Sequence, residues 1–219
     1  MSRGSRNKKL FLWIILIATI ILIVISQTAF AVGERDLQKA MESWSAGQYE
    51  TALPQFEKAA SLGNNKAQTM LGVMYFQGKG TEQDYPKAAE WFDRAANSGN
   101  HEAQTFMGIM NLEGLGTPKN EKTAYYWFEK AARAGETSAQ NYLGTLLMNG
   151  QGTQKDTAKA AEWFTKAAEK GDSNARKILG AMYLQGKGVA KDTEKARYWL
   201  QKAADDGDTD AKNLLSELN

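Results

Sequence analysis

The sequence predicts an all-α fold, an α-solenoid of stacked helix pairs, and three observations predict it. Trp91, Trp127, Trp163 and Trp199 stand 36 residues apart. Each is followed by a bulky apolar residue and then an alanine pair, in WFDRAA, WFEKAA, WFTKAA and WLQKAA. Glycines recur at the same interval, singly at Gly72, Gly108, Gly144 and Gly180 and in pairs such as Gly78 and Gly80. A period of about 20 to 50 residues marks an array in which each unit buries its apolar face only against its neighbours.

Residues 1–31 read as a signal peptide or an N-terminal membrane anchor. Arg3, Arg6, Lys8 and Lys9 precede LFLWIILIATIILIVI, sixteen residues without a charge. Ala29-Phe30-Ala31 has the small-x-small form of a signal-peptidase site, and cleavage there would leave Val32 first. The apolar stretch from Leu10 to Val32 is also long enough to span a hydrocarbon core of about 30 Å uncleaved. Under both readings the basic residues keep the N-terminus in the cytoplasm. The repeats are then expected beyond the inner membrane: periplasmic, anchored and facing the periplasm, or secreted.

Residues 32–66 form a shorter unit, whose GQYETAL turn resembles that of a tetratricopeptide repeat. Leu37, Ala40, Met41 and Trp44 fall at helical spacing, Gly47 interrupts, and Leu53, Phe56, Ala59 and Ala60 mark a second helix. Pro54 predicts that this helix starts near Thr51, with proline in its first turn, or bends at the proline.

Four longer units follow, at 67–102, 103–138, 139–174 and 175–210. Ala67, Ala103, Ala139 and Ala175 open first helices that contain Gly72, Gly108, Gly144 and Gly180. Glycine inside a helix costs about 1 kcal/mol relative to alanine. Four repetitions predict that another helix backbone passes too close for a Cβ. Paired glycines from Gly78 to Gly188 close these helices and permit a positive φ. Asp84, Asn120, Asp156 and Asp192 stand where second helices need an N-cap. Those helices are expected to turn tryptophan, its apolar follower and the alanine pair inward, ending at Gly99, Gly135, Gly171 and Gly207. Asn100, Glu136, Asp172 and Asp208 then begin the next first helices. Residues 211–219 repeat the start of a first helix and read as a C-terminal cap.

The pattern AxxxLGxxYxxGxG…DxxKAxxWxxKAAxxG resembles the Sel1-like repeat family, a cousin of the tetratricopeptide repeat. AQTMLGVMYFQGKGTEQDYPKAAEWFDRAANSG and ARKILGAMYLQGKGVAKDTEKARYWLQKAADDG carry the match. Asn111 and Leu147 depart from it where Tyr75 and Tyr183 keep it. The resemblance implies a right-handed superhelix of antiparallel helix pairs. It also implies a non-enzymatic scaffold or adaptor that binds a protein or peptide in a concave groove lined by the first helices. Carried onto this chain, with spacing of i, i+4 and i+7/i+8, the groove comprises Thr69, Val73, Phe76 and Gln77. Its counterparts are Thr105, Ile109, Leu112 and Glu113, then Asn141, Thr145, Met148 and Asn149, then Lys177, Ala181, Leu184 and Gln185. Phe76, Leu112, Met148 and Leu184 form an apolar row that either anchors a partner or covers the turns. Some secreted members staple each repeat with cysteines. This chain has no cysteine, so activities of that subgroup do not carry over.

Composition narrows the function classes. Without the four N-terminal cations the chain carries 23 basic and 25 acidic residues, and no basic stripe suggests nucleic acid. The lack of cysteine excludes thiolate nucleophiles and cysteine-bound zinc, and a single histidine, His101, excludes multi-histidine metal sites. The glycine turns lack the lysine–hydroxyl end of a phosphate loop. Glu90, Glu129 and Glu162 read as outer-face residues beside lysines, Glu162–Lys166 forming an i,i+4 pair. No catalytic, cofactor or metal site is expected. The alternative function, an enzyme or enzyme modulator acting on cell-wall glycan, would need two acids facing across a cleft.

Overall fold

A computed structural model describes residues 3–218, with side chains for residue 13 and residues 15–24, 27–28 and 31–218. The described elements are all helices: α1 (Arg3–Ser45), α2 (Tyr49–Ser61), α3 (Asn65–Gln77), α4 (Tyr85–Asn97), α5 (His101–Glu113), α6 (Glu121–Arg133), α7 (Thr137–Asn149), α8 (Thr157–Glu169), α9 (Ser173–Gln185), α10 (Thr193–Asp205) and α11 (Thr209–Ser216). This is the all-α, solenoid class that the periodicity predicts. The chain divides into two compact units, residues 1–83 and 84–219.

In the first unit, α1 runs for 43 residues without a break, joining the N-terminal segment to the first repeat helix. Its described apolar side chains from Trp13 to Val24 are about half exposed, Leu22 reaching 66%. Among the described residues no helix is long and apolar enough to cross a membrane, and the stretch from Leu10 to Val32 is only partly among them. The side chains of Arg3, Arg6, Lys8, Lys9, Ala29 and Phe30 lie outside the described residues. Beyond this segment α1 packs on α2 through buried Leu37 and Ala40. Trp44 meets Tyr49 edge-on at 4.8 Å and Phe56 at 6.4 Å, and Asp36 pairs with Lys58 at 3.1 Å. Because α2 begins at Tyr49, Pro54 lies inside it, past the first turn, and the expected start near Thr51 does not hold.

In the second unit each helix from α4 to α11 packs on the next. The second helices start where short acceptors predict: the side chains of Asp84, Asn120, Asp156 and Asp192 accept from backbone N–H groups in the first turn. First helices start two residues before the alanines, capped by Asn100 and Asp172. Glu136 holds the equivalent position before α7 and makes no side-chain cap bond, its carboxylate lying one methylene farther from the backbone than an aspartate's.

Gly108, Gly144 and Gly180 answer first to a side chain, where a passing helix backbone was expected. A Cβ on Gly108 would fall 2.6 Å from the Phe128 ring, and one on Gly144 2.9 Å from Phe164. Gly180 faces the Leu200 side chain at 2.7 Å, with the Ala196 carbonyl second at 3.2 Å. The backbone approach belongs instead to the second glycine of each turn. Gly116 lies against the Tyr85 carbonyl, Gly152 against that of Glu121 and Gly188 against that of Thr157, each too close for any Cβ.

These contacts move the core by one position from the tryptophans. Phe92, Phe128, Phe164 and Leu200 are fully buried, whereas Trp91, Trp163 and Trp199 are only half-buried and Trp127 alone reaches 7% exposure. A cation three residues on covers each indole: Arg94 at 4.7 Å, Lys130 at 5.3 Å, Lys166 at 4.0 Å and Lys202 at 5.8 Å from the ring centroids. Lys166 thus lies over Trp163 rather than on Glu162. Such contacts contribute about 0.5–1 kcal/mol at exposed sites.

Candidate partner-binding face

The first helices α5, α7 and α9 present one face beside two recesses. The larger, 540 Å³, lies among Leu112 and Glu113 of α5, Ser138, Asn141, Tyr142 and Thr145 of α7, and Asp172 and Asn174 at the start of α9, with Lys119 and Gln151 on its edge. The smaller, 370 Å³, is lined by Glu102, Thr105, Phe106, Ile109, Glu136, Ser138 and Tyr142. Ser138 and Tyr142 line both. The Tyr142 ring stacks on Phe128 at 4.7 Å, and Phe106 stacks on Phe92 at 4.4 Å. Both rings are therefore held by the fully buried residues that fill the core.

Six of the sequence-assigned groove residues line these recesses: Thr105, Ile109, Leu112, Glu113, Asn141 and Thr145. In the first unit Thr69 and Val73 are buried, Phe76 is half-buried and Gln77 is exposed. Leu112 and Met148 pack against the core, as Leu184 does against the C-terminal cluster, so the apolar row is in part an edge of the core. Asn149 and Gln185 are exposed and Lys177 and Ala181 half-buried, and neither recess includes Met148, Asn149, Lys177, Ala181, Leu184 or Gln185. The spacing rule passed over Tyr142, Phe106 and Ser138. A bulky residue just before the core leucine or methionine, at Phe106, Tyr142 and Ile178, was the available signal.

A polar column crosses this face at the α7–α9 and α9–α11 joints. Asn141 Nδ2 donates to Asp172 Oδ1 at 2.9 Å, and Asn174 Nδ2 donates to Asn141 Oδ1 at 3.4 Å. One repeat later, Lys177 Nζ lies 3.1 Å from Asp208 and 3.0 Å from Asp210. Hydrogen bonds to Asp210 and then Asp208 raise the Lys177 pKa above the usual ammonium value. The Ala211 backbone N–H, with Lys177 behind it, lowers that of Asp208. Thr105 holds the corresponding position on α5, is 6% exposed, and donates back to the His101 carbonyl at 3.0 Å.

His101 Nδ1 lies 3.3 Å from Gln104 Oε1 at the start of α5. Among the described residues no group of three or more histidine or acidic side chains is arranged to hold a metal ion. What the face offers is an aromatic floor, amides and carboxylates.

The Sel1 repeat family matches this chain at residues 65–100, 101–136, 137–172 and 174–208. Among solved structures, a protective antigen of uropathogenic Escherichia coli strains displaying an SLR fold is similar, with TM-score 0.76 and 30% identity over 88% of this chain and 41% of that one. A Sel1 repeat protein from Oxalobacter formigenes gives TM-score 0.72 and 37% identity over 78% of this chain and 50% of that one. The chain thus spans half or less of the length of these two relatives. An immunity protein from Pseudomonas aeruginosa, 23% identical with TM-score 0.53 over 82% of this chain and 66% of that one, shares the fold. A search of the curated proteins finds no match. With four matched repeats covering more than half of its length, the chain belongs to the Sel1 repeat family, whose members are in general non-enzymatic scaffolds that commonly mediate protein–protein interaction.

Proposed function

We propose that this chain is an exported scaffold that holds a segment of a partner protein along the α5–α7–α9 face, in the bacterial cell envelope. The observation that carries the reading is the pair of recesses sharing Ser138 and Tyr142, since aromatic anchors in pockets concentrate binding energy. Export is supported by the four cations ahead of an uncharged apolar run. Affinity capture from bacterial membranes tests the binding face. A Leu112→Ser, Tyr142→Ser double variant that keeps its helical circular dichroism should lose the partners retained by the wild type, and an unchanged capture profile overturns the reading. Intact mass of the chain recovered from the envelope separates a mature form starting at Val32 from an uncleaved anchor, and recovery from the cytoplasm alone contradicts export.

A further inference from the structure

The polar column is filled at two joints and open at the third. Positions 105, 141 and 177 are equivalent, as are 136, 172 and 208, and 138, 174 and 210. At the α7–α9 joint Asn141 spans to Asp172 and Asn174. At the α9–α11 joint Lys177 does the same to Asp208 and Asp210. At the α5–α7 joint the spanning residue is Thr105, whose hydroxyl bonds within its own helix. Glu136, facing it, makes no cap bond. At this joint Thr105, Glu136 and Ser138 line the 370 Å³ recess without bridging it.

We propose that the α5–α7 joint is a binding site for a lysine side chain of the partner segment, the incoming ammonium bridging Glu136 and Ser138 as Lys177 bridges Asp208 and Asp210. This deepens the partner-binding reading and rests on it. Three features fit the occupant. Lys177 demonstrates within this chain that an ammonium fits between these two positions of the following helix. Ile109, Phe106 and Tyr142 line the same recess as Glu136, and a lysine stem packs along apolar surface while its head stays charged. The recess continues past Ser138 and Tyr142 to Asn141, Gln151 and Asn174, whose amides can both donate to and accept from an extended peptide backbone. An acidic segment would instead meet Glu102, Glu113, Glu136 and Asp172 against the single ammonium of Lys119, an unfavourable like-charge arrangement.

Fluorescence anisotropy on the full chain tests this with a labelled nonapeptide that has a central lysine between serine and leucine residues, and with twins carrying glutamine or glutamate at the centre. The lysine peptide is expected to bind about tenfold tighter than the glutamine twin, as a charge-assisted bond allows, with the glutamate twin weakest. Glu136→Gln should erase the lysine preference. Thr105→Lys, which supplies the bridge from within, should block the lysine peptide while keeping the melting temperature. The proposal is overturned if the glutamate twin binds as tightly, if the preference survives Glu136→Gln, or if none of the peptides binds. Equal binding of all three peptides, lost in Leu112→Ser, removes the lysine site and leaves the partner-binding reading standing. Failure of that reading appears separately, as partner capture unaffected by the groove variant.

Discussion

Gln104 Nε2 donates to the Ala96 carbonyl oxygen at 3.0 Å, tying the start of α5 to the end of α4 from a fully buried side chain. The bond recurs one repeat either side. Gln68 reaches Ala60 at 3.4 Å in the first unit and Gln140 reaches Ala132 at 3.2 Å. In the fourth long repeat Arg176 Nε takes over, bonding the Ala168 carbonyl at 3.1 Å and adding an ion pair to Asp206 at 2.6 Å. Removing a buried donor and its volume costs about 1–3 kcal/mol. Gln104→Ala should therefore lower the unfolding free energy from urea titration by that amount, and a loss under about 0.5 kcal/mol would show that the helices stack without the bond.

Gly108→Ala opposes two effects. Alanine gains about 1 kcal/mol of helix propensity, but its Cβ would stand 2.6 Å from the Phe128 ring, and overpacking a filled core costs about 1–3 kcal/mol. Phe128 is fully buried and stacked on Tyr142, so the ring has little room to retreat. The variant is expected to be less stable than wild type in equilibrium unfolding. Net stabilisation would mean that the ring yields.

The ranking of aromatic truncations follows burial rather than size. Phe164 is fully buried while Trp163 is half-buried beneath Lys166. Phe164→Ala should cost about 3–5 kcal/mol, and Trp163→Ala distinctly less. Thermal unfolding of the two variants side by side decides it, and the order is falsified if Trp163→Ala proves the more damaging.

The Lys177 bridge predicts a dependence on pH at both extremes. The raised Lys177 pKa contributes stability below the unfolded ammonium value and loses it as pH rises through the higher folded one. The lowered Asp208 pKa contributes above the unfolded carboxylate value and loses it as pH falls through the lower folded one. The bridge thus contributes fully between about pH 4 and pH 10. Being near the surface it is worth about 0–1 kcal/mol. Lys177→Met should lose that amount at pH 7 and converge with wild type at alkaline pH, beyond the raised ammonium pKa. Parallel stability curves for the two chains over the whole range would contradict the coupling.

The parts of this fold that were legible in the sequence are those fixed within a few residues. Asp84, Asn120, Asp156 and Asp192 cap their helices because a short acceptor reaches the N–H groups of the next turn, and that reach is a property of the local chain. Glu136 read as a helix start like Asn100, Asp172 and Asp208, yet with one added methylene it makes no side-chain cap bond. The 36-residue period located the core segment but not its central residue. Trp163 and Phe164 are adjacent and both apolar, and only packing against Gly144 decides which points inward. Tyr142 escaped the face assignment for a similar reason, its ring being placed by Phe128, fourteen residues away. Of the two readings Pro54 allowed, a start near Thr51 fails because α2 begins earlier and encloses the proline.

Gly116 on Tyr85, Gly152 on Glu121 and Gly188 on Thr157 amount to a ratchet with teeth of fixed pitch. Each tooth is backbone set against backbone 31 residues earlier, so no rotamer change can absorb a shift. Lengthening a second helix by one residue would displace the next tooth from its seat, whereas inserting or excising an intact 36-residue cassette leaves every seat occupied. The array is thereby free to vary in reach only by whole steps, and each step adds or removes one joint of the face proposed to bind a partner.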